Sequence, residues 1–488
     1  MNTPYPTTGL WMLALLALLI ASSGLPVWVL LVGTASAFAG VGWLLGLFDA
    51  SVLSAVGART LGLLEHDLLQ ALPLYVFVGV LLQRLTWADT LFAVLSRITR
   101  RSGAASSLAA FGVAALVAPM NGSVASSSAM LARLVSPHLG RGNAATSTAL
   151  VSAASTIGVV VPPSLVLILL GDAMLRAHTE ASNLGGYTLG NQRIVNTQDI
   201  FHAALLPAAL VLVLWLLVAW WQGRKLAAPA PPHSVQPLRA TQWALAALVA
   251  LAIVGMLGGV FSGRIYAVEA AASAAMALIC TALATRALSW QAWQAVLADA
   301  LSLSGALLAL LVGATTFSLI FRLWGGDVWI TQSILASPWS ATATAAVVLV
   351  LVALCAWVLD AFEMIFVIIP IVAPALILRV GDAQQTAVLL LLVLQLSFLI
   401  PPMGYAVMMA RARSGLHPAP LRATLWALLP YLLVQCAVTA LVFVAPWSVH
   451  QLDAAPSNTA VEATLSAEDL DQLMRDMADQ TQESATKN

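Results

Sequence analysis

Charge is what this chain has least of. Of its 488 residues only 21 are basic and 21 acidic, 9% together, with a formal net charge of zero; soluble domains carry roughly 25% charged residues. That balance leaves no global field to attract nucleic acid or an acidic partner. Cysteine is nearly as scarce. Cys280, Cys355 and Cys436 each sit inside an apolar run without CxxC or Cys/His spacing, so no disulfide framework or thiolate metal site is signalled, and all three are expected to pack as small hydrophobes. The sequence also lacks HExxH, Walker A, GxSxG and Rossmann glycine patterns, which removes the usual starting points for an enzyme. What is abundant is hydrocarbon: 60% of residues are hydrophobic and the mean hydropathy is +0.92. The composition is that of an all-α polytopic membrane protein, because a chain in lipid must satisfy its backbone internally.

Spans need about 20 apolar residues. Hydropathy places them near 10–23, 26–47, 68–83, 144–170, 202–221, 242–258, 266–285, 302–321, 386–410 and 424–445, with interrupted apolar segments at 104–131 and 341–378. The first run ends in small residues as a signal peptide does, yet it has no basic leader and another apolar run follows directly, so a retained helix is expected. Arginine placement then orients the chain. Arg84, Arg97, Arg100 and Arg101 form one basic loop, Arg224, Lys225 and Arg239 a second, and Arg411, Arg413 and Arg422 a third; the positive-inside rule makes all three cytoplasmic. The balanced 172–199 loop falls outside. These assignments agree only if both interrupted segments are re-entrant hairpins that leave from the side they entered.

A repeat underlies this arrangement. Pro162 and Pro163 recur as Pro401 and Pro402, 239 residues on, and the same ungapped shift carries "GNA" at 142–144 onto "GDA" at 381–383, and Asn121 onto Asp360. The paired elements run in opposite directions in the expected topology, which is the inverted-repeat architecture of many secondary transporters, with binding sites at broken helices near the midplane. Channels also carry re-entrant loops. The expected division is a first repeat over 1–221, a cytoplasmic linker over 222–241 that contains "LAAPAPPHSVQPL", a second repeat over 242–445 and an acidic tail over 446–488. The tail falls outside by this topology, and "SAEDLDQLMRDMADQ" within it has a capping-box spacing at Ser466 and Asp469.

Prolines inside membrane helices remove backbone donors. The unwound turns they create present carbonyls to a cation and half-helix N-termini to an anion. A plain structural kink is the competing explanation for either pair alone; recurrence at matched positions weighs against it. The first hairpin tip, "APMNGSVASSSAM", has Pro119 to stop its first limb, Asn121 and Gly122 for left-handed backbone, and a Ser run to restart a helix. Its oxygens can ligate sodium, or its small residues can serve close packing. The second tip carries Asp360 and Glu363 one turn apart. Ionisable groups at membrane depth default to function, whereas an N-cap at Asp360 with Glu363 as its reciprocal capping-box partner is the structural alternative. Arg322, Asp327 and Arg379 read as interfacial, Trp220 and Trp221 as a membrane-interface anchor, and Glu269 as structural.

Taken together, "LPLYVFVGVLL", "NGSVASSSAM", "STIGVVVPPSLVLI", "AVEAAASAAMALI", "LDAFEMIFVIIPIVAP" and "LQLSFLIPPMG" resemble the large membrane subunit of tripartite ATP-independent periplasmic (TRAP) transporters, the DctM-like family, over essentially 10–445. The resemblance implies an elevator transporter coupled to sodium, a small four-helix membrane subunit (DctQ-like), and a periplasmic binding protein (DctP-like) that delivers an organic acid. No organic cofactor is expected. The implied sodium ligands are Asn121, Gly122 and Ser123; Ser155, Thr156 and Gly158; Asp360; and Gln395 and Ser397. The implied substrate region at the broken helices is Pro162, Pro163, Ser164, Glu363, Pro401, Pro402 and Gly404. Family members often carry Ser-Gly-Ser at the first tip, Thr before the second proline pair and Asn upstream of it. Here Asn121 opens the tip, and Ile400 and Val393 hold the other two places, which removes two oxygen ligands from a second sodium site. The Asp/Glu tip and "LQLSF" are similar to a branch associated with monocarboxylates, 2-oxoacids or chloroaromatic acids. Two alternatives stand beside this reading: a sodium/organic anion symporter that needs no binding protein, and a non-transporting membrane scaffold.

Overall fold

In the computed structural model residues Met1–Gln451 form one compact unit. Described are residues 7–48, 51–64, 67–121, 124–136, 144–162, 164–184, 187, 194–225, 239–355, 359–400, 404–413 and 419–452. The 226–238 linker, Gly122, Ser123, Pro163, Pro401, Pro402 and the acidic tail with its capping-box spacing lie outside the described residues, as do the side chains of Pro119 and Asn121. Among the described residues the unit is helical, with no strand. Among the described residues seven helices are long and apolar enough to cross a membrane, or up to nine if each of two bent helix pairs is one span.

The first half opens with α1 (Thr8–Ser23), α2 (Val27–Leu44), α3 (Ser51–Leu64) and α4 (Asp67–Arg84), followed by α5 (Trp87–Ile98). A hairpin of α6 (Ala105–Asn121) and α7 (Val124–Val135) comes next, then the broken helix α8 (Ala144–Val160) and α9 (Leu165–Ser182), and the long α10 (Thr197–Lys225). The second half repeats the order: α11 (Ala240–Phe261), α12 (Ala267–Ala284), α13 (Trp290–Leu323) and α14 (Gly326–Leu335). Its hairpin is α15 (Ala341–Cys355), then α16 (Ala361–Glu363), a π-helical turn Met364–Ile368 and α17 (Ile369–Val380). Its broken helix is α18 (Ala383–Ser397) with α19 (Tyr405–Arg413), and α20 (Leu421–Val444) closes it.

The 239-residue shift carries helix boundaries as well as sequence. It takes the first residue of α8 onto that of α18 and the start of α5 onto that of α14, and it lays α3 and α4 end to end along the single 34-residue α13. Packing obeys the same exchange. α4 packs on α12 as α13 does on α2; α9 packs on α17 as α19 does on α7; α8 packs on α20 as α18 does on α10. The mates run antiparallel. Trp215 and Gln222 on α10 donate to the carbonyls of Tyr431 and Ala427 on α20, so one helix ascends as the other descends. Likewise Arg84, at the end of α4, bonds Asp299 near the start of α13 at 2.6 Å. The repeat is therefore inverted, with its pseudo-axis across the helices.

Several sequence expectations need correcting. α6 runs through Pro119 to Asn121; the proline does not stop the limb, because its fixed φ is helical and the helix bears the lost i→i−4 bond in its last turn. The apolar runs at 144–170 and 386–410 need no correction: each is a broken helix as expected, the first bent by 45°. α3, α5 and α14 were not expected. α5 is amphipathic, with Ala88, Leu91, Phe92 and Val94 buried and Arg97 at its polar end, and it bends 66° away from α4. The three cysteines are exposed on apolar faces of α12, α15 and α20 rather than packed inside; in a bilayer protein the outer surface is itself apolar, so a hydrophobic run does not tell inside from outside.

The basic regions converge at one end of the bundle. Gly223, beside Arg224 at the foot of α10, lies against Ala104 at the head of α6, adjoining the 3-10 turn that holds Arg100 and Arg101. Gln222 ties the same end to the start of α20, next to Arg422. Trp220 and Trp221 are partly exposed there, with the Arg224 guanidinium 4.7 Å from the Trp220 ring. Glu269 accepts the Tyr266 N–H at 3.0 Å and so serves as a helix cap. Arg379 donates to the Ile334 and Leu335 carbonyls and caps the end of α14.

Candidate transport site at the repeat axis

The two broken helices meet at their mates. Gln395 Nε2 on α18 reaches the carbonyl of Thr156 on α8 at 3.4 Å, and these residues are 239 apart, so the pseudo-axis passes between them. Both are fully buried. A third side chain joins them from α20: Gln435 Nε2 donates to Gln395 Oε1 at 2.9 Å and to the Leu392 carbonyl at 3.1 Å. Gln435 is also fully buried, and its Oε1 has no hydrogen-bond partner. An amide in an apolar core is expected to be satisfied, so an unpaired oxygen at the axis marks a place where a polar ligand or water is at home. The sequence reading missed Gln435. Its only signal was a glutamine within "LLPYLLVQCAVTALVF".

The breaks are built with specific partners. Ser164 Oγ accepts the Leu167 N–H at 3.1 Å, capping α9, and donates to the Val159 carbonyl at 3.1 Å, so it mends both sides of the gap. In the second break the Phe398 carbonyl takes the Ala406 N–H at 3.1 Å. Some freed carbonyls are thus satisfied within the protein, as broken backbone at membrane depth requires. Ser155, Thr156 and Ser397 each donate to a carbonyl of their own helix, three residues back, at 2.9, 2.8 and 2.7 Å. Their hydroxyl oxygens keep lone pairs with which to accept or ligate.

Gly158 brings α8 against the first hairpin. A Cβ there would stand 2.4 Å from the Ala118 carbonyl oxygen, three residues before Asn121. Gly404 sits closely, though less tightly, in the second break, where a Cβ would lie 3.0 Å from the Phe398 and Ile400 oxygens. Ser155, Thr156, Gly158, Ser164, Gln395, Ser397 and Gly404 therefore gather around the paired breaks, with Pro162 at the edge of the first.

The second tip shows the capping box read from its sequence. Asp360 accepts the Ala361 N–H, and Glu363 Oε2 accepts the Asp360 N–H at 2.9 Å. The π-helical turn that follows was not legible. Pro370 has no N–H to offer the preceding turn, and the widened turn Met364–Ile368 accommodates it. π-turns of this kind recur at functional sites.

Comparison with known proteins fits this architecture. The family model for the tripartite ATP-independent periplasmic transporter, DctM component, matches residues 11–448. The chain is 25% identical over 380 residues to the isethionate TRAP transporter permease protein DctMQ of Oleidesulfovibrio alaskensis, covering 76% of this chain but 55% of that protein's length. It is 23% identical over 399 residues to the C4-dicarboxylate TRAP transporter large permease protein DctM of Pseudomonas aeruginosa, covering 80% of this chain and 86% of that one. In fold it is similar to the Alcanivorax borkumensis YdaH transporter, whose crystal structure is described as having an unusual topology: the TM-score is 0.61 at 16% identity, over 91% of this chain and all of the other. The chain belongs to the DctM family of TRAP transporter large permease components, and it is a multi-pass inner-membrane protein.

Proposed function

We propose that the chain is the large permease of a secondary transporter that takes up an organic acid against its gradient by coupling to sodium. The observation that carries this reading is the meeting of the two broken helices through Thr156, Gln395 and Gln435, where Gln435 keeps an unpaired amide oxygen and Ser155 and Ser397 lie within two residues along the chain. Neutral oxygens suit a hard cation such as sodium. In this reading Asn121, Gly122, Ser123, Ser155, Thr156, Gly158, Gln395 and Ser397 supply neutral oxygen ligands, and Asp360 supplies the one charged ligand. The organic anion sits against the half-helix N-termini after the proline pairs, with Ser164, Glu363 and Gly404 nearby. A small DctQ-like subunit and a DctP-like binding protein complete the complex. The basic end of the bundle is cytoplasmic, and the hairpins with the broken helices move as one body past the outer helices. The reading contains no catalytic step.

The test is uptake by proteoliposomes that hold the chain and its small subunit, supplied with the binding protein and its ligand. Accumulation should require an inward sodium gradient. Equal uptake with potassium in place of sodium overturns the coupling.

A further inference from the structure

A cleft of about 490 Å³ opens away from the repeat axis, between α9, α13 and the π-helical turn. Its size falls within the range of small-molecule pockets. Its walls are unlike the rest of a chain so poor in charge. Asp172, Arg176 and Glu180 recur at four-residue intervals along α9, and Arg322 and Ser318 face them from α13. The opposite wall is hydrocarbon, from Ile365, Phe366 and Pro370. We propose that this cleft is a second binding site, distinct from the one at the paired breaks, which receives an organic anion with an apolar body and holds its carboxylate or sulfonate on Arg322 and Arg176.

The guanidinium groups are held in place but not used up. Arg322 makes its ion pair with Glu180 through Nη2 alone, and Arg176 faces Asp172 through Nη2 at 2.9 Å. Among the described residues neither arginine has a partner at Nε or Nη1. Arginine presents five donors in a planar fork that matches carboxylate and sulfonate oxygens, so each keeps an edge for an incoming anion while the intramolecular carboxylate fixes its rotamer. The Ser318 hydroxyl has no hydrogen-bond partner among the described residues either. The two arginines stand about one helical turn apart along α9, since Glu180 brings Arg322 to within a turn of Arg176. A ring or short chain on the Phe366 side thus places its anionic end between them.

The cleft joins the two kinds of helix that transport must shift against each other. α9 belongs to the broken helix and the π-turn to the second hairpin, whereas α13 packs chiefly on α2 and α4. A bound anion bridging Arg176 and Arg322 therefore tightens that contact. This role rests on the transport reading; the binding itself does not.

Benzoate is the probe, because its ring fits the apolar wall and its carboxylate the arginines; benzamide is the uncharged control. Equilibrium dialysis of radiolabelled benzoate against the full chain, in zwitterionic-lipid nanodiscs without sodium, should give saturable binding that benzamide does not match. Arg322→Gln should weaken it at least tenfold, and Arg176→Gln by less. Loss of an ion pair also threatens folding, so the decisive variant is Glu180→Gln, which breaks the same pair yet frees Arg322: benzoate should bind several-fold tighter. Gly255→Ala, on α11 and lining neither site, should leave benzoate binding unchanged.

Weaker binding in Glu180→Gln, parent-like binding in both arginine variants, or equal binding of benzamide overturns the proposal. So does loss of benzoate binding in phosphatidylglycerol nanodiscs, which would assign the cleft to lipid headgroups. Arginine-dependent binding in a chain whose uptake ignores sodium would sink the coupling and leave the cleft standing. Sodium-driven uptake without saturable benzoate binding would do the reverse.

Discussion

Gly158 is where the fold and the proposed ion site touch most closely. A methyl group there would lie 2.4 Å from the Ala118 oxygen, 2.6 Å from its carbonyl carbon and 2.8 Å from its Cβ, where ordinary contacts begin near 3.4 Å. Two of those three atoms are backbone, so no rotamer change relieves the clash. α6 must retreat from α8 by about 1 Å, and overpacking of that size costs about 1–3 kcal/mol. The displaced segment ends three residues later at Asn121, on the hairpin tip. A shift of about 1 Å at a reacting or binding centre can cost up to ~10²-fold. Gly158→Ala should therefore lower thermal stability in detergent and raise the sodium concentration for half-maximal uptake by at least tenfold, about 1.4 kcal/mol. Gly255→Ala is the control. It lies on α11 with nothing within 4 Å of the added methyl, and alanine favours a helix over glycine by about 1 kcal/mol, so stability should hold or rise with the sodium curve unchanged. A Gly158→Ala protein that melts and titrates like the parent would refute the claim that this approach positions the tip.

Asp360→Asn keeps N-capping ability, since Asn and Asp cap about equally well, and Glu363→Gln keeps the acceptor for the Asp360 N–H. Both should express normally, yet Asp360→Asn should lose transport or shift its sodium dependence about tenfold, ~1.4 kcal/mol, with a smaller defect in Glu363→Gln. Parent-like sodium titrations for both would reduce this tip to a helix cap. Gln435→Leu strands Gln395 Oε1 in a fully buried place, at a cost of about 1–3 kcal/mol; the Gln395→Leu, Gln435→Leu double variant should be less destabilised than the two single effects combined, and strict additivity in a melting series would argue against a coupled network. A cysteine in the 226–238 linker should be shielded from an impermeant thiol reagent in intact cells while one in the tail is labelled, and the opposite pattern would invert the assigned topology.

The repeat was the most legible feature, because an ungapped shift preserves proline pairs and hydropathy alike. It foretold the hairpins and the broken helices, whereas Thr156 and Gln395, which meet at the axis, came from the family resemblance. What it could not give was depth. Hydropathy treats Cys280 and Ala149 alike, although the first is exposed and the second buried, since lipid and protein interior are equally apolar. α5 and α14 escaped because they are short. Gln435 escaped because it has no proline, glycine or charge to mark it, only an amide whose partners lie 40 residues away on α18.

The places where the repeat mates differ follow a physical rule. Two identical side chains at a two-fold axis compete for one volume, and here a long amide, Gln395, crosses to the backbone of its shorter mate, Thr156. Away from the axis the mates have no such conflict, yet they differ too. Gln83 bonds Ser126 on α7 of the first hairpin, while its mate Arg322 pairs with Glu180 on the broken helix at the opposite end. Asn121 at one tip corresponds to Asp360 at the other. In both pairs the second repeat holds the charge and the first a neutral amide. A transporter with perfect internal symmetry would present equal contacts to the two sides of the membrane. Placing the charged mate on one side makes the two facings unequal in energy, and a charge that binds or releases an ion can then shift the balance between them.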